Sequence, residues 1–215
     1  MSMTRRRFHQ CLLGAVAASV VAPSALADDL VEGRDWRAVN PAQPTDEPGK
    51  IEVLEFFSYG CPHCGKLNPL IQEWKPTLPE DVAFQRVPVT FGRAAWANLA
   101  RAFYALEYSG QLDLVDQALF DAIGHQRKQL FTKDAMVDWL QTRELDTTEF
   151  SKHFDGFAVE TRLARGQMLA ERYQVNSVPL IIVAGRYAVL GEGGKSYADL
   201  LRIADGLIVK AREAA

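Results

Sequence analysis

Two cysteines stand two residues apart in the run Cys61-Pro62-His63-Cys64, and this pair restricts the chain more than any other feature. The one further cysteine, Cys11, falls inside an N-terminal segment that reads as a removable export signal. Without that segment a single Cys-x-x-Cys pair remains, too little for the disulfide framework that staples a small secreted fold. A structural zinc site asks for four Cys or His ligands. Here His63 lies within the pair, and the other histidines of the exported chain, His125 and His153, are scattered. No metal and no other cofactor is called for. Reversible thiol–disulfide exchange is the chemistry to expect.

The first residues set the compartment. Arg5, Arg6 and Arg7 form a basic start, Leu12 to Ala22 is an apolar run too short to span a membrane, and Ala25-Leu26-Ala27 is a small-x-small cleavage site. Residues 1–27 therefore read as a signal peptide. Cys11 precedes the apolar run, which argues against lipid attachment. Thr4-Arg5-Arg6-Arg7-Phe8 also resembles a twin-arginine signal, so both export routes stay open. Either leads to the periplasm, an oxidising compartment in which a thiol pair can act as an oxidant. Removing residues 1–27 deletes three arginines and no acid, taking the net charge from −3 to −6. That balance speaks against a nucleic-acid partner, which calls for a clustered basic surface. The remaining length suits one domain, or one domain with an insertion. Nothing in it requires more than a monomer.

Asp28 to Gly49 is polar, carries Pro41, Pro44 and Pro48, and reads as an extended lead-in with a short strand near Trp36 to Val39. Ile51 to Ser58 is rich in β-branched and aromatic residues without helical period, which predicts a buried strand. Gly60 breaks it, and a helix is expected from the cysteine motif to Trp74, kinked at Pro69. Val82 to Thr90 is the next strand candidate. From Arg93 to about Tyr173 apolar residues recur at helical spacing, as in Leu112, Val115, Leu119, Phe120 and Ile123. Four or five helices are expected there, with their aromatics as helix core. Phe131-Thr132 marks one helix start, and Asp146 with Glu149 suggests a capping box at another. Val178 to Leu190 reads as a hairpin turning at Ala184-Gly185-Arg186, and Ser196 to Ala211 as a final amphipathic helix. The order is a βαβ half, a helical block and a ββα half.

A strand that ends in a helix carrying Cys-x-x-Cys has a physical logic. Cys61 sits at the helix N-terminus, where unpaired N–H groups and the dipole favour a thiolate. Cys64, one turn on, points inward and resolves the mixed disulfide. Pro62 at an early helical position loses no hydrogen bond. His63 adds a positive charge or a donor near the Cys61 sulfur, which argues for an oxidant over a reductant. Glu55 lies in an otherwise apolar strand, where a carboxylate is costly to bury. Its functional reading is a proton acceptor for Cys64; the alternative is a structural role, capping a water-filled edge or pairing with a base such as Arg86. Val178-Pro179 opens a strand, where a loop facing the dithiol would leave backbone groups free for an extended substrate peptide.

Glu55-Phe56-Phe57-Ser58 leading into Cys61-Pro62-His63-Cys64, together with Val178-Pro179 and Gly185-Arg186-Tyr187, resembles the DsbA family of periplasmic thiol:disulfide oxidases. The resemblance covers essentially the whole exported chain. It implies an α/β thioredoxin fold with an inserted α-helical domain. The thioredoxin-like parts would be residues 28–92 and 174–215, and the insertion 93–173. It also implies a cis Val178-Pro179 bond, a hydrophobic substrate groove, and exported polypeptides with free cysteines as partners. Reoxidation would fall to a quinone-linked membrane protein of the DsbB kind. That family is the standard example of a low-pKa, strongly oxidising cysteine, so this expectation is inherited from the resemblance. Two departures stand out. Some members place a lysine near the buried glutamate, whereas Phe84-Gln85-Arg86-Val87 has none, and Ser58-Tyr59-Gly60 is less bulky than an all-aromatic version. A disulfide reductase or isomerase, and a non-catalytic peptide-binding chaperone module, are the competing readings.

Overall fold

The computed structural model describes residues 29–214. The expected signal peptide and Cys11 lie outside the described residues.

Strand β2 (Ile51–Phe57) is the axis of the molecule, pairing parallel with β3 (Val82–Pro88) and antiparallel with β4 (Leu180–Val183). Val53, Leu54, Phe56 and Phe57 are all buried, which explains the unbroken apolar run: both faces of this strand are covered. β4 turns through Ala184 and Gly185 into β5 (Tyr187–Val189), and the short β1 (Trp36–Ala38) closes the far edge in the order β1-β5-β4-β2-β3. Within the expected Ala184-Gly185-Arg186 turn, Ala184 and Gly185 both have positive φ, 53° and 64°, and the Arg186 amide donates to the Val183 carbonyl at 3.0 Å. A side chain at Gly185 would run into the Gln43 carbonyl, so the position needs glycine twice over.

Successive residues of β2 face opposite ways. Val53 packs in a core with Leu67 and Ile71 of α1 (Pro62–Trp74) and Ile203, Ala204 and Leu207 of α7 (Tyr197–Glu213). Leu54 and Phe56 pack on the other face with Leu169 and Tyr173. Glu55, two residues from Val53, is thereby turned to the α1 side. Its partner across the parallel ladder is Arg86, so the two side chains share a face.

Between β3 and β4 lie five helices and no strand: α2 (Ala94–Tyr108), α3 (Leu112–Gly124), α4 (Lys133–Gln141), α5 (Thr147–Phe154) and α6 (Phe157–Arg172). Phe103, Phe120, Trp139 and Phe150 are buried in their shared core, which also takes in Phe57, Tyr59, Cys61 and Cys64. Thr132 caps α4 by accepting from the Ala135 amide. At α5 the expected capping box does not form. Asp146 accepts from Thr148 N at 2.8 Å, while Glu149 turns to Lys152. The reciprocal box occurs at α7 instead, between Ser196 and Asp199. Pro69 lies inside α1, as expected, and removes the donor that would meet the Gly65 carbonyl. The Gln117 side-chain amide, from α3, approaches that carbonyl at 3.5 Å.

Candidate active site

The turn Ser58-Tyr59-Gly60 carries the chain from β2 into α1 and delivers Cys61 as the helix N-cap, in extended conformation with φ −103° and ψ 115°. The Cys61 amide donates to Ser58 O at 3.0 Å, and the Cys61 carbonyl accepts the first helical bond from Gly65 N at 3.2 Å. Pro62 occupies the first helical position, where no amide is needed. Gly60 is required by packing: a Cβ there would lie 2.6 Å from Nε1 of Trp96, on α2. Both cysteines are free thiols.

The two sulfurs sit in different surroundings. Cys61 retains 8 % exposure and Cys64 none. The Cys61 thiol is lowered from an ordinary 9.0 to about 6. A hydrogen bond from the Cys64 thiol contributes most, burial opposes it, and the amides of Cys64 and His63 add to the lowering. The His63 charge comes last. The Cys64 thiol is pushed far up by its bond to Cys61 first, then by burial, the charge of Cys61 and that of Glu55. One sulfur is therefore built to be a thiolate and the other to stay a thiol.

Three further expected residues surround the pair. In its thiol form Cys61 donates to the Val178 carbonyl at 3.3 Å, across 117 residues of sequence. The Val178-Pro179 bond is cis, as expected, and Pro179 leads into β4. His63 is exposed, and its Nδ1 lies 2.9 Å from the hydroxyl of Tyr197, the first residue of α7. A cleft of about 460 Å³ runs past His63, Pro179, Leu180, Tyr197 and Leu200. A second, of about 220 Å³, is lined by Gly60, Cys61, Pro62 and Phe120.

Glu55 is completely buried, and burial pushes its carboxyl up, with Arg86 pulling the other way. Arg86 Nε donates to Glu55 Oε2 at 2.7 Å, and Nη1 donates to Oδ2 of Asp116 at 2.8 Å. Burial works against the Arg86 charge, and Glu55 and Asp116 outweigh it, so the guanidinium holds its proton more tightly than usual. It also lies 4.1 Å over the Phe57 ring. The expected pairing of Glu55 with Arg86 is present, and the Glu55 charge is one of the influences that raise the Cys64 thiol.

Of the residues singled out from the sequence, Cys61, Pro62, His63 and Cys64 stand at the start of α1 with Val178 and Pro179 beside Cys61, while Glu55 makes its hydrogen bond to Arg86. Sequence reasoning named Tyr59 only as part of a less bulky turn, and passed over Asp116 and Tyr197. Asp116 did carry a signal, since it sits on the apolar stripe Leu112, Val115, Leu119, Phe120 of α3. Among the described residues no group of three or more His, Cys, Asp or Glu is placed to hold a metal ion.

Comparison with known proteins is consistent with this geometry. The model of the DSBA-like thioredoxin domain family matches residues 52–202. The chain belongs to that family. It is 41% identical over 202 residues to the thiol:disulfide interchange protein DsbA of Pseudomonas syringae pv. tomato, covering 93% of this chain and 94% of the relative. With that of Bordetella parapertussis it shares 37% over 203 residues, covering 94% and 96%. The crystal structure of Pseudomonas aeruginosa DsbA superposes with a TM-score of 0.82 at 37% identity, over 87% of this chain and 97% of the other. The fold is that of the thioredoxin-like DsbA proteins, and the activity is that of a thiol:disulfide oxidoreductase.

Proposed function

We propose that the protein is a periplasmic oxidase that transfers its Cys61–Cys64 disulfide to exported polypeptides. The unequal environment of the two sulfurs carries this reading. A substrate thiolate attacks Cys61 Sγ, the Cys61–Cys64 bond breaks, and Cys64 leaves, taking up a proton. A second substrate thiolate then attacks the substrate sulfur, and Cys61 departs as the stabilised thiolate, leaving the substrate oxidised and the protein reduced. Each pKa unit taken off the leaving thiol favours the reduced protein by about 1.4 kcal/mol, or roughly 30 mV for this two-electron couple.

Glu55 serves as the proton donor and acceptor for Cys64. The Val178 carbonyl and Pro179, beside Cys61, bind the substrate backbone, and His63 and Pro62 shape the helix start around the reactive sulfur. Residues 28–92 and 174–215 form the thioredoxin-like part and 93–173 the insertion, a division supported by the five helices between β3 and β4. The protein works as a monomer without cofactor, and a DsbB-like quinone-linked membrane oxidase restores the disulfide. No helix among the described residues is long and apolar enough to cross a membrane. The test is the equilibrium of the Cys61–Cys64 couple with glutathione. A potential above about −180 mV supports a disulfide donor, and one near about −270 mV, as in thioredoxin, makes the protein a reductant.

A further inference from the structure

The buried charges beneath the dithiol do not balance. One guanidinium, Arg86, faces two carboxylates, Glu55 from β2 and Asp116 from α3 of the helical insertion. The two carboxylates are not equally supplied. Asp116 Oδ1 accepts from the Tyr59 hydroxyl at 2.5 Å, and its Oδ2 accepts from Gln72 Nε2 at 2.9 Å as well as from Arg86. These three donors come from three places: the turn before Cys61, helix α1 and strand β3. Glu55 has one donor, Arg86 Nε, and its Oε1 is buried with no partner. On its third side Glu55 meets β4, where its ladder partner Ile181 is apolar. The titratable groups around Glu55 are therefore Arg86, Asp116, Tyr59 and Cys64.

Two like charges sharing one cation in a dry site do not both ionise with equal ease. Glu55, with a single donor, a partnerless oxygen and complete burial, is the carboxyl that these surroundings push towards its protonated form. We propose that Asp116 is a positioning residue for the exchange reaction: by engaging Arg86 it keeps that guanidinium from serving Glu55 alone, and so leaves Glu55 as the buried carboxyl that carries the proton to and from Cys64. This rests on Glu55 being the proton carrier for Cys64. During substrate oxidation the Glu55 carboxylic acid gives its proton to the departing Cys64 sulfur and becomes a carboxylate. During reoxidation the carboxylate takes the proton back, and the Cys64 thiolate attacks Cys61 Sγ in the mixed disulfide, releasing the partner's thiolate. Atoms and charge balance in both directions. The electron pair moves only between sulfurs, and Asp116 touches neither sulfur nor substrate.

The insertion thereby becomes part of the proton circuit. Asp116 donates no proton, but it decides where the proton resides. An insertion that merely covered the groove would need no carboxylate on the apolar stripe of α3.

Three measurements on residues 28–215 test this. The first is a carbon-13 NMR titration of the side-chain carboxyls in the reduced protein, unmutated and with Asp116→Asn, assigned with Glu55→Gln. Glu55 should take up its proton at higher pH in the unmutated protein than in Asp116→Asn, and an unchanged Glu55 midpoint overturns the proposal without needing a mutant to be active. The second follows Cys64-dependent release of glutathione from the Cys61 mixed disulfide against pH. In Asp116→Asn, Arg86 serves Glu55 alone, so the acid limb should move to lower pH by about one unit, a tenfold fall in proton affinity at Glu55. Cys61 alkylation should keep its own profile. An acid limb that stays in place overturns the proposal. The third repeats the release assay with Glu55→Gln. If the limb persists there, Glu55 is not the proton carrier and both readings fall. If it disappears in Glu55→Gln and stays fixed in Asp116→Asn, only the role of Asp116 falls.

Discussion

Replacing Cys64 with alanine removes the donor that does most to bring the Cys61 thiol from 9.0 down to about 6. A hydrogen bond to a charged group is worth roughly 1.5–3 kcal/mol, and about 1.4 kcal/mol is one pKa unit, so the Cys61 midpoint should rise by about one to two units. The backbone amides of residues 63 and 64 remain, so the thiol does not return the whole way. At about pH 7 the ionised share of Cys61 should fall from about nine-tenths to between about a half and a tenth. The assay is the rate of alkylation of Cys61 against pH, with thiolate absorbance as a second readout. In the unmutated protein the sealed Cys64 does not compete for the reagent. The sign of the accompanying stability change is fixed. Folding lowers the Cys61 pKa, so the stability it contributes is fully present above 9.0 and is lost as the pH falls through about 6. The whole effect is at most about 4 kcal/mol, because solvent at the rim screens the sulfur, and at about pH 7 only about 1.4 kcal/mol of it is in play. The reduced protein should therefore gain on the oxidised one, which has no thiol to titrate, as the pH rises from 6 to 9. A Cys64→Ala midpoint within about half a unit of the unmutated value would show that the backbone amides alone hold the thiolate, and would refute this account.

His63→Ala should move the Cys61 midpoint less than Cys64→Ala does, because the His63 charge is the least of the contributions; the same alkylation profile reads it, and the reverse order contradicts it. Arg86→Met leaves two buried carboxylates without their cation and should destabilise the fold by about 3–5 kcal/mol in denaturant unfolding; a loss under about 1 kcal/mol would mean the charges are relieved some other way. Gly60→Ala forces its methyl against Trp96 and should cost about 1–3 kcal/mol. Adding Trp96→Ala should recover part of that loss, and an unchanged Tm in the single variant would reject the close packing.

The sequence made the fold legible wherever one period ruled a segment. β2 reads as a strand because both faces are buried, the helical insertion reads from its 3.6-residue stripes, and the hairpin from Gly185. It made the dithiol legible because two cysteines at this spacing have few other uses. Relations between distant side chains stayed hidden. Asp116 breaks the stripe of α3, but nothing local says that its partners are Tyr59, Gln72 and Arg86, 57, 44 and 30 residues away. Arg86 took the place where a lysine was looked for, and its forked guanidinium can bond two carboxylates at once, as Nε and Nη1 do here. The weight of His63 was likewise set by geometry: its ring reaches Tyr197, so its amide and the neighbouring thiol lie ahead of its charge at Cys61. The Asp146 capping box failed for a local reason, since Glu149 found a cation one turn on.

The sheet order carries a consequence for how the molecule comes into being. β1 finds its partner only in β5, and β2 is flanked by β4 only after the insertion has passed. A chain emerging from its N-terminus therefore presents Cys61 117 residues before Val178, whose carbonyl lies against the Cys61 sulfur. Through that interval the reactive cysteine is accompanied by β2, α1, β3 and the helices of the insertion as they emerge, without β4 beside it. The last segment to appear both clasps the first strand and brings the Val178 carbonyl to Cys61, so a nascent chain truncated before β4 lacks that contact at its reactive sulfur.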